Sequence, residues 1–190
     1  MVAGAAEDMQ KKPWVHFRRV EWSDEAELRD LFSSEDLSTP HGHFFDQRYI
    51  DYLERNFPRI DDLKWRKFEG LTAEYFDRQG FAVELGPGRD DDGVDIRVWD
   101  TEKSSRPPLL IIQCKRTREK VGKVVVKALW ADMQAEEAGG GLIVTTSSLS
   151  PGARRVCIAR GYPVGEADRS ALRLWLHALR TPGTGISTVT

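Results

Sequence analysis

Hydrophobic and polar positions are ordered most plainly in two stretches of the chain, and both carry chemical groups. Residues 109–115, Leu-Leu-Ile-Ile-Gln-Cys-Lys, form a nearly continuous apolar run, which predicts a central strand covered on both faces. Side chains on a strand alternate, so Gln113 and Lys115 project together while Cys114 turns the other way with Ile112 and Leu110. Over 93–99 the same alternation sends Val94, Ile96 and Val98 inward and leaves Asp95 on the polar face. If the two strands are neighbours, an acid, an amide oxygen and a fixed cation meet at the edge of a sheet.

Other elements follow from periodicity and punctuation. Tyr49, Ile50, Leu53 and Phe57 recur at helical spacing over 46–56, and Pro58 stops that helix. A second helix is predicted over 60–79, with a buried stripe of Trp65, Phe68, Thr72, Tyr75 and Phe76 and Gly80 as its cap. Strands are predicted at 81–85, 142–145 and 162–164. Helices are predicted over 121–138, from Ser150-Pro151 to Gly161, and over 168–179. Near the N-terminus, Trp14, Val15, Phe17, Val20 and Trp22 make an apolar burst, then 23–32 reads as a helix and 33–45 as a connection. The order describes an α/β sandwich with a mixed sheet. We expect a folded domain at 46–180, a partly frayed N-terminal extension at 1–45 and a tail at 181–190.

Asp95, Gln113 and Lys115 suit phosphodiester hydrolysis, which needs a cation to polarise the phosphate, an activated water and a positive charge for the transition state. Magnesium takes oxygen ligands and keeps several waters, so a carboxylate and an amide oxygen suffice to anchor it. Asp95 is then the principal ligand, Gln113 offers its amide oxygen, and Lys115 orients water or stabilises the phosphorus centre as a point charge. Gln113 brings no negative charge, which raises the importance of another acid. Glu69 lies between Trp65 and Ala73 at spacings of four, bordering the apolar stripe, where it serves the ion or a structural ion pair. Glu74 has Arg78 four residues on as an ordinary surface partner.

The residues Phe68-Glu69, Gly80-Phe81, Asp90-Asp91-Asp92-Gly93-Val94-Asp95-Ile96, Gln113-Cys114-Lys115-Arg116 and Val144-Thr145-Thr146 follow one another in an order and at spacings that resemble the Mrr-type catalytic domain. That domain belongs to the restriction-endonuclease-like nucleases abbreviated PD-(D/E)XK. The resemblance runs from about Trp65 to about Leu179. Gln113 departs from the acid of the shorthand but is usual in the Mrr-like branch. The resemblance implies a restriction-endonuclease-like three-layer sandwich, a mixed central sheet flanked by helices. It also implies DNA as substrate, the Cys114 backbone carbonyl as a further ligand of magnesium or manganese, and a role in restriction or defence against foreign DNA.

Composition changes this picture little. The chain has 190 residues, 31% of them charged, and a formal net charge of -2, so whole-chain basicity does not announce a phosphate binder. Locally, Lys115, Arg116, Arg118, Lys120, Lys123 and Lys127 face the single acid Glu119 between residues 113 and 127. We expect DNA phosphates to be held by Arg116, Arg118, Lys123 and Lys127, with Arg154 extending the surface. Thr145 to Ser148 could hydrogen-bond phosphates or form a plain polar turn, and Asp90 to Asp92 serve the turn before the first site strand. His41 and His43 lack the cysteines of a zinc site. Cys114 and Cys157 read as buried free thiols.

No phosphate-binding Gly-Lys-Ser or Gly-Lys-Thr loop is present, so no ATP chemistry is expected by that route. No apolar run approaches a membrane span, and a cytoplasmic protein is expected. No base-reading motif is evident, so intrinsic sequence specificity is expected to be low. A homodimer would cut two strands. The rival reading is a catalytically inactive module of the same fold that binds DNA, or docks on a protein partner through the N-terminal extension, where Trp14, Phe17, Trp22 and Phe44 are prominent.

Overall fold

The computed structural model describes residues 37, 39, 41–88, 93–100 and 106–181. The expected apolar burst and helix over 14–32 lie outside the described residues, as do Asp90, Asp91 and Asp92 and the tail from 182.

Five strands form one mixed sheet in the order β1 (Ala82–Leu85), β2 (Ile96–Trp99), β3 (Leu110–Lys115), β4 (Gly140–Thr145) and β5 (Val164–Ala167). The first three pair antiparallel, while β3, β4 and β5 run parallel. The parallel steps need crossovers, supplied by α3 (Lys123–Ala135) and α4 (Pro151–Arg160). Their layer buries Val126, Leu129, Met133 and Ala153 on Ile111 and Ile143. On the opposite face α1 (Gln47–Arg55), α2 (Trp65–Arg78) and α5 (Arg169–Leu179) bury Leu53, Phe68, Leu71, Leu172 and Leu176 against Ile96, Ile112 and Val144. Because β3 lies in the middle, both faces of its apolar run are covered, and Cys114 packs with Ile112 and Leu110 as the alternation requires. The result is the expected three-layer α/β sandwich.

Local chemistry sets several boundaries. Asp46 caps α1 by accepting from Arg48 N, Ser150 caps α4 by accepting from Ala153 N, and Asp168 caps α5 by accepting from Ser170 N and Ala171 N. The helix expected over 60–79 is broken. Pro58 starts a 3₁₀ turn, Phe57–Asp62, then Leu63 and Lys64 adopt extended backbone and α2 begins at Trp65. The helix expected over 121–138 spans Lys123–Ala135, and Gly140 and Gly141 begin β4, where a Cβ on Gly141 would lie 2.6 Å from Met133 Sδ. The last strand starts at Val164 rather than Tyr162, since Pro163 has no N–H for the ladder.

The face prediction for the 93–99 stretch fails at one residue. Ile96 and Val98 join the α2 side, but Val94 is buried on the α3 side with Val126 and Leu129. Strict alternation cannot put 94 and 96 on opposite faces, so the chain turns over between them. That turn is at Asp95.

Glu74 is also not an ordinary surface residue. Its pair with Arg78 exists at 2.6 Å, but Glu74 is only 2% exposed and also accepts the backbone N–H groups of His43, Phe44 and Phe45. Phe45 is itself in the core, and a Cβ on Gly70 would meet Phe44 O at 2.8 Å. Residues 43–45 are thus seated tightly on α2. Among the described residues no helix is long and apolar enough to cross a membrane.

Candidate active site

Asp95, Gln113 and Lys115, three of the candidate site residues, lie where β2 and β3 part. The antiparallel ladder ends with Ile96 opposite Ile112, and Asp95 N donates to Ile112 O. Beyond that point the partner strand turns away, and Asp95 Oδ2 accepts from Cys114 N at 2.6 Å. The carboxylate thereby takes the place of a backbone carbonyl, which satisfies the peptide and fixes the acid against the strand. On its other side β3 remains paired with β4 as far as Lys115 opposite Thr145. The consequence is a notch at the end of a central strand rather than along a sheet edge.

Gln113 stands at this notch, 7% exposed. Its Nε2 donates to Gly93 O at 2.7 Å, which fixes which end of the amide is nitrogen. Its Oε1 is buried and has no hydrogen-bond partner. Buried polar atoms are rarely left unpaired, and an orphaned amide oxygen one residue from the peptide N–H held by the Asp95 carboxylate fits a divalent cation that prefers oxygen. The donor set is consistent with such an ion, although among the described residues no three His, Cys, Asp or Glu side chains form a cluster able to hold a metal.

The Cys114 thiol reports on its surroundings. Burial pushes it well above its ordinary range, and the Asp95 and Glu69 carboxylates push the same way, while the Thr72 hydroxyl and the Lys115 charge oppose them. Glu69, Asp95 and Lys115 are thus near enough to act electrostatically on Cys114, which lies between Gln113 and Lys115 on β3. Glu69 is 4% exposed on α2 and pairs with Arg66 at 2.9 Å one turn earlier. Cys114 Sγ lies 3.6 Å from Thr72 Oγ1, and both cysteines are free thiols.

The basic residues divide. Arg118, Lys120, Lys123 and Lys127 are exposed. Arg116 is exposed too, but its Nη1 donates to Asp61 O at 2.8 Å. Arg154 forms a two-pronged pair with Glu166 at 2.9 Å, so its charge is largely offset. His43 Nδ1 lies 3.2 Å from Asp77, apart from the notch.

Thr145 and Thr146 do not face a ligand. Both are buried, and their hydroxyls bind the backbone of Lys115 and Thr117. Two further residues escape a reading of the sequence. Asp132 Oδ2 and Gln113 Nε2 approach the same point, 3.6 and 3.4 Å from where a Cβ on Gly93 would sit. Asp61 accepts both Arg116 and Arg169 beside the end of β3. The first could be sought as an acid flanking the buried stripe of α3; the second carries no local signal.

Comparison with known proteins shows the family. Residues 60–176 match the Mrr_cat family, described as restriction endonuclease, over more than half of the chain. An uncharacterized protein, y4cE, of Sinorhizobium fredii (strain NBRC 101917 / NGR234) is 31% identical over 137 residues, which is 71% of this chain and 32% of that protein. Two solved structures are also similar. One is the MspJI restriction endonuclease in complex with a 27-mer oligonucleotide, with a TM-score of 0.46, 21% identity and coverage of 73% of this chain and 33% of the other. The second is the DNA modification-dependent restriction endonuclease AspBHI, with a TM-score of 0.46, 20% identity and coverage of 79% and 39%. The chain spans between about a third and two fifths of the length of these relatives.

Proposed function

This chain belongs to the Mrr_cat family of restriction endonucleases, and from that premise we propose that it is a magnesium-dependent DNA endonuclease acting in restriction or defence against foreign DNA. The observation that carries the metal dependence is the buried, unpartnered Gln113 Oε1 on the strand whose next residue, Cys114, donates its N–H to the Asp95 carboxylate.

Asp95, Gln113 Oε1 and the Cys114 carbonyl would hold the ion, and Glu69 would add the charge that an amide lacks. When bound, the ion supplies Lewis acidity toward the phosphate and lowers the pKa of water. Lys115 orients the attacking water and offsets negative charge on the phosphoryl oxygens. Water adds to phosphorus, the bond to the leaving sugar oxygen breaks, and that oxygen takes up a proton. Arg118, Lys123 and Lys127 hold the backbone of duplex DNA, Arg116 contributes while braced on Asp61, and Arg154 adds less because Glu166 offsets it. Manganese is expected to substitute for magnesium. A homodimer would bring two notches to two strands, and selection of particular DNA would fall to other segments or to a partner.

A plasmid-nicking assay tests the reading with wild type and Lys115→Ala, each with magnesium and with chelator. Cleavage by wild type alone, abolished by chelator, is expected. Equal cleavage by both proteins would refute the assigned site.

A further inference from the structure

The end of β3 loses its antiparallel partner just where its chemical residues begin, so Lys115 is held from the β4 side alone. Two hydroxyls reinforce that hold, Thr145 on Lys115 itself and Thr146 on Thr117 two residues further on. Lys115 O accepts from Thr145 Oγ1 at 2.8 Å and from Thr146 N at 3.4 Å. The Thr146 hydroxyl accepts from Thr117 N and donates to Thr117 O, both at 3.0 Å, closing a ring on one residue of the loop. Thr145 is 0% and Thr146 3% exposed, so water does not compete for these bonds.

The clamp is itself braced from outside. Arg169 Nη1 donates to Thr146 O at 3.2 Å and to Asp61 Oδ1 at 2.7 Å, while Arg169 N donates to Ser147 O. Asp61 O in turn receives Arg116. The 3₁₀ turn, the start of α5 and the end of β4 therefore meet around residues 115–117.

We propose that Thr146 is a positioning residue for the reaction, fixing the backbone from which Lys115 reaches the scissile phosphate; the inference rests on the active-site reading above. A lysine ammonium rides on a flexible four-carbon stem, so its placement depends on a fixed Cα. Misplacement by about 1 Å costs on the order of a hundredfold in rate. The lysine's partners in the ion site, Asp95, Gln113 and the Cys114 carbonyl, precede the clamp and should not need it.

The experiment compares magnesium-dependent nicking by wild type, Thr146→Val and Thr146→Ser, with manganese-induced thermal stabilisation measured on each. The valine is expected to lower kcat at least about tenfold with KM within about twofold, and the serine to recover most of it because it keeps the hydroxyl. The manganese-induced rise in Tm is expected to match wild type in all three. A valine variant with wild-type kcat, a serine variant as impaired as the valine, or loss of the manganese response in the valine variant would each overturn the inference. Should the valine variant not fold, Arg169→Gln carries the test, with kcat expected to fall at least about threefold at constant KM; unchanged kcat there overturns it as well. Wild-type protein that does not cleave overturns the active-site reading and this inference with it. Lys115→Ala impaired beside a fully active Thr146→Val overturns the inference alone.

Discussion

Gln113→Glu restores the carboxylate of the broader nuclease pattern, and the structure determines what that exchange does without an ion. Gln113 Nε2 now donates to Gly93 O over 2.7 Å. The substitution sets an anionic oxygen against that carbonyl in a site where the residue is only 7% exposed. Loss of a buried hydrogen bond costs about 1–3 kcal/mol. Burial of the charge adds to this, up to the point where the carboxyl protonates instead. A total of about 3 kcal/mol lowers Tm by about 6–12 °C for a chain of this length. The introduced carboxyl has its folded pKa raised above the unfolded value of about 4.3, so its contribution is fully present below that pH and is lost as pH rises through the folded pKa. Below it the protonated carboxyl can donate to Gly93 O and the deficit closes.

With saturating manganese the order changes, because the added charge tightens the ion and each tenfold gain in affinity returns about 1.4 kcal/mol. The assay is thermal unfolding of both proteins at pH 4.5 and 7.5, with chelator and with manganese. Expected is a deficit at pH 7.5 that shrinks with acid and with ion. A variant as stable as wild type at pH 7.5 in chelator, or one whose manganese response is no larger than wild type, would refute the reasoning.

Other outcomes follow from the same geometry. Glu69→Gln is expected to reduce the manganese-induced rise in Tm and, because Glu69 is buried in its pair with Arg66, to cost about 3 kcal/mol of ion-free stability as well; an ion-free loss with an intact ion response would make Glu69 structural. Glu74→Gln breaks a buried pair and weakens the hold on three backbone N–H groups, and should cost about 3–5 kcal/mol in denaturant unfolding. Burial alone would raise the Asp46 carboxyl, but hydrogen bonds from the Arg48 side chain and backbone and from Thr39, with the Arg48 charge, hold it below its usual range. Its contribution is therefore present above about pH 3.9 and lost as pH falls through the lower folded value. Asp46→Ala should cost about 1–2 kcal/mol at pH 7 and nothing once the native carboxyl is protonated, as read from urea midpoints across that range. Binding of duplex DNA should weaken with salt at a log–log slope of about -3 to -4 for four phosphate contacts, and Lys123→Ala with Lys127→Ala should flatten it by about 2; an unchanged slope would remove those lysines from the interface.

What was legible in the sequence was local in origin. The apolar run before Gln113 shows its strand because both faces of β3 are covered, and Ser150 and Asp168 show their helix starts because a capping oxygen bonds within three residues. The pairing of Asp95 with the end of β3 was legible as a condition, since it needed only that two adjacent strands be neighbours. The rest depends on distant parts of the chain. Val94 crosses to the α3 side because β2 leaves β3, which no pattern over 93–99 announces. Glu74 is buried because its acceptor sites are filled from 29 to 31 residues away. The hydroxyls of Thr145 and Thr146, read as meeting phosphate or forming a plain polar turn, are taken by backbone 29 or 30 residues earlier. The departures at the notch share a cause: where two inner strands part, backbone groups released from the ladder must be satisfied by side chains. Asp95 takes Cys114 N, Gln113 takes Gly93 O, and Thr146 takes both backbone groups of Thr117. The polar residues at the notch therefore serve two ends at once, and simple alternation fails there because the opening that makes the site also removes the regular strand on which alternation depends.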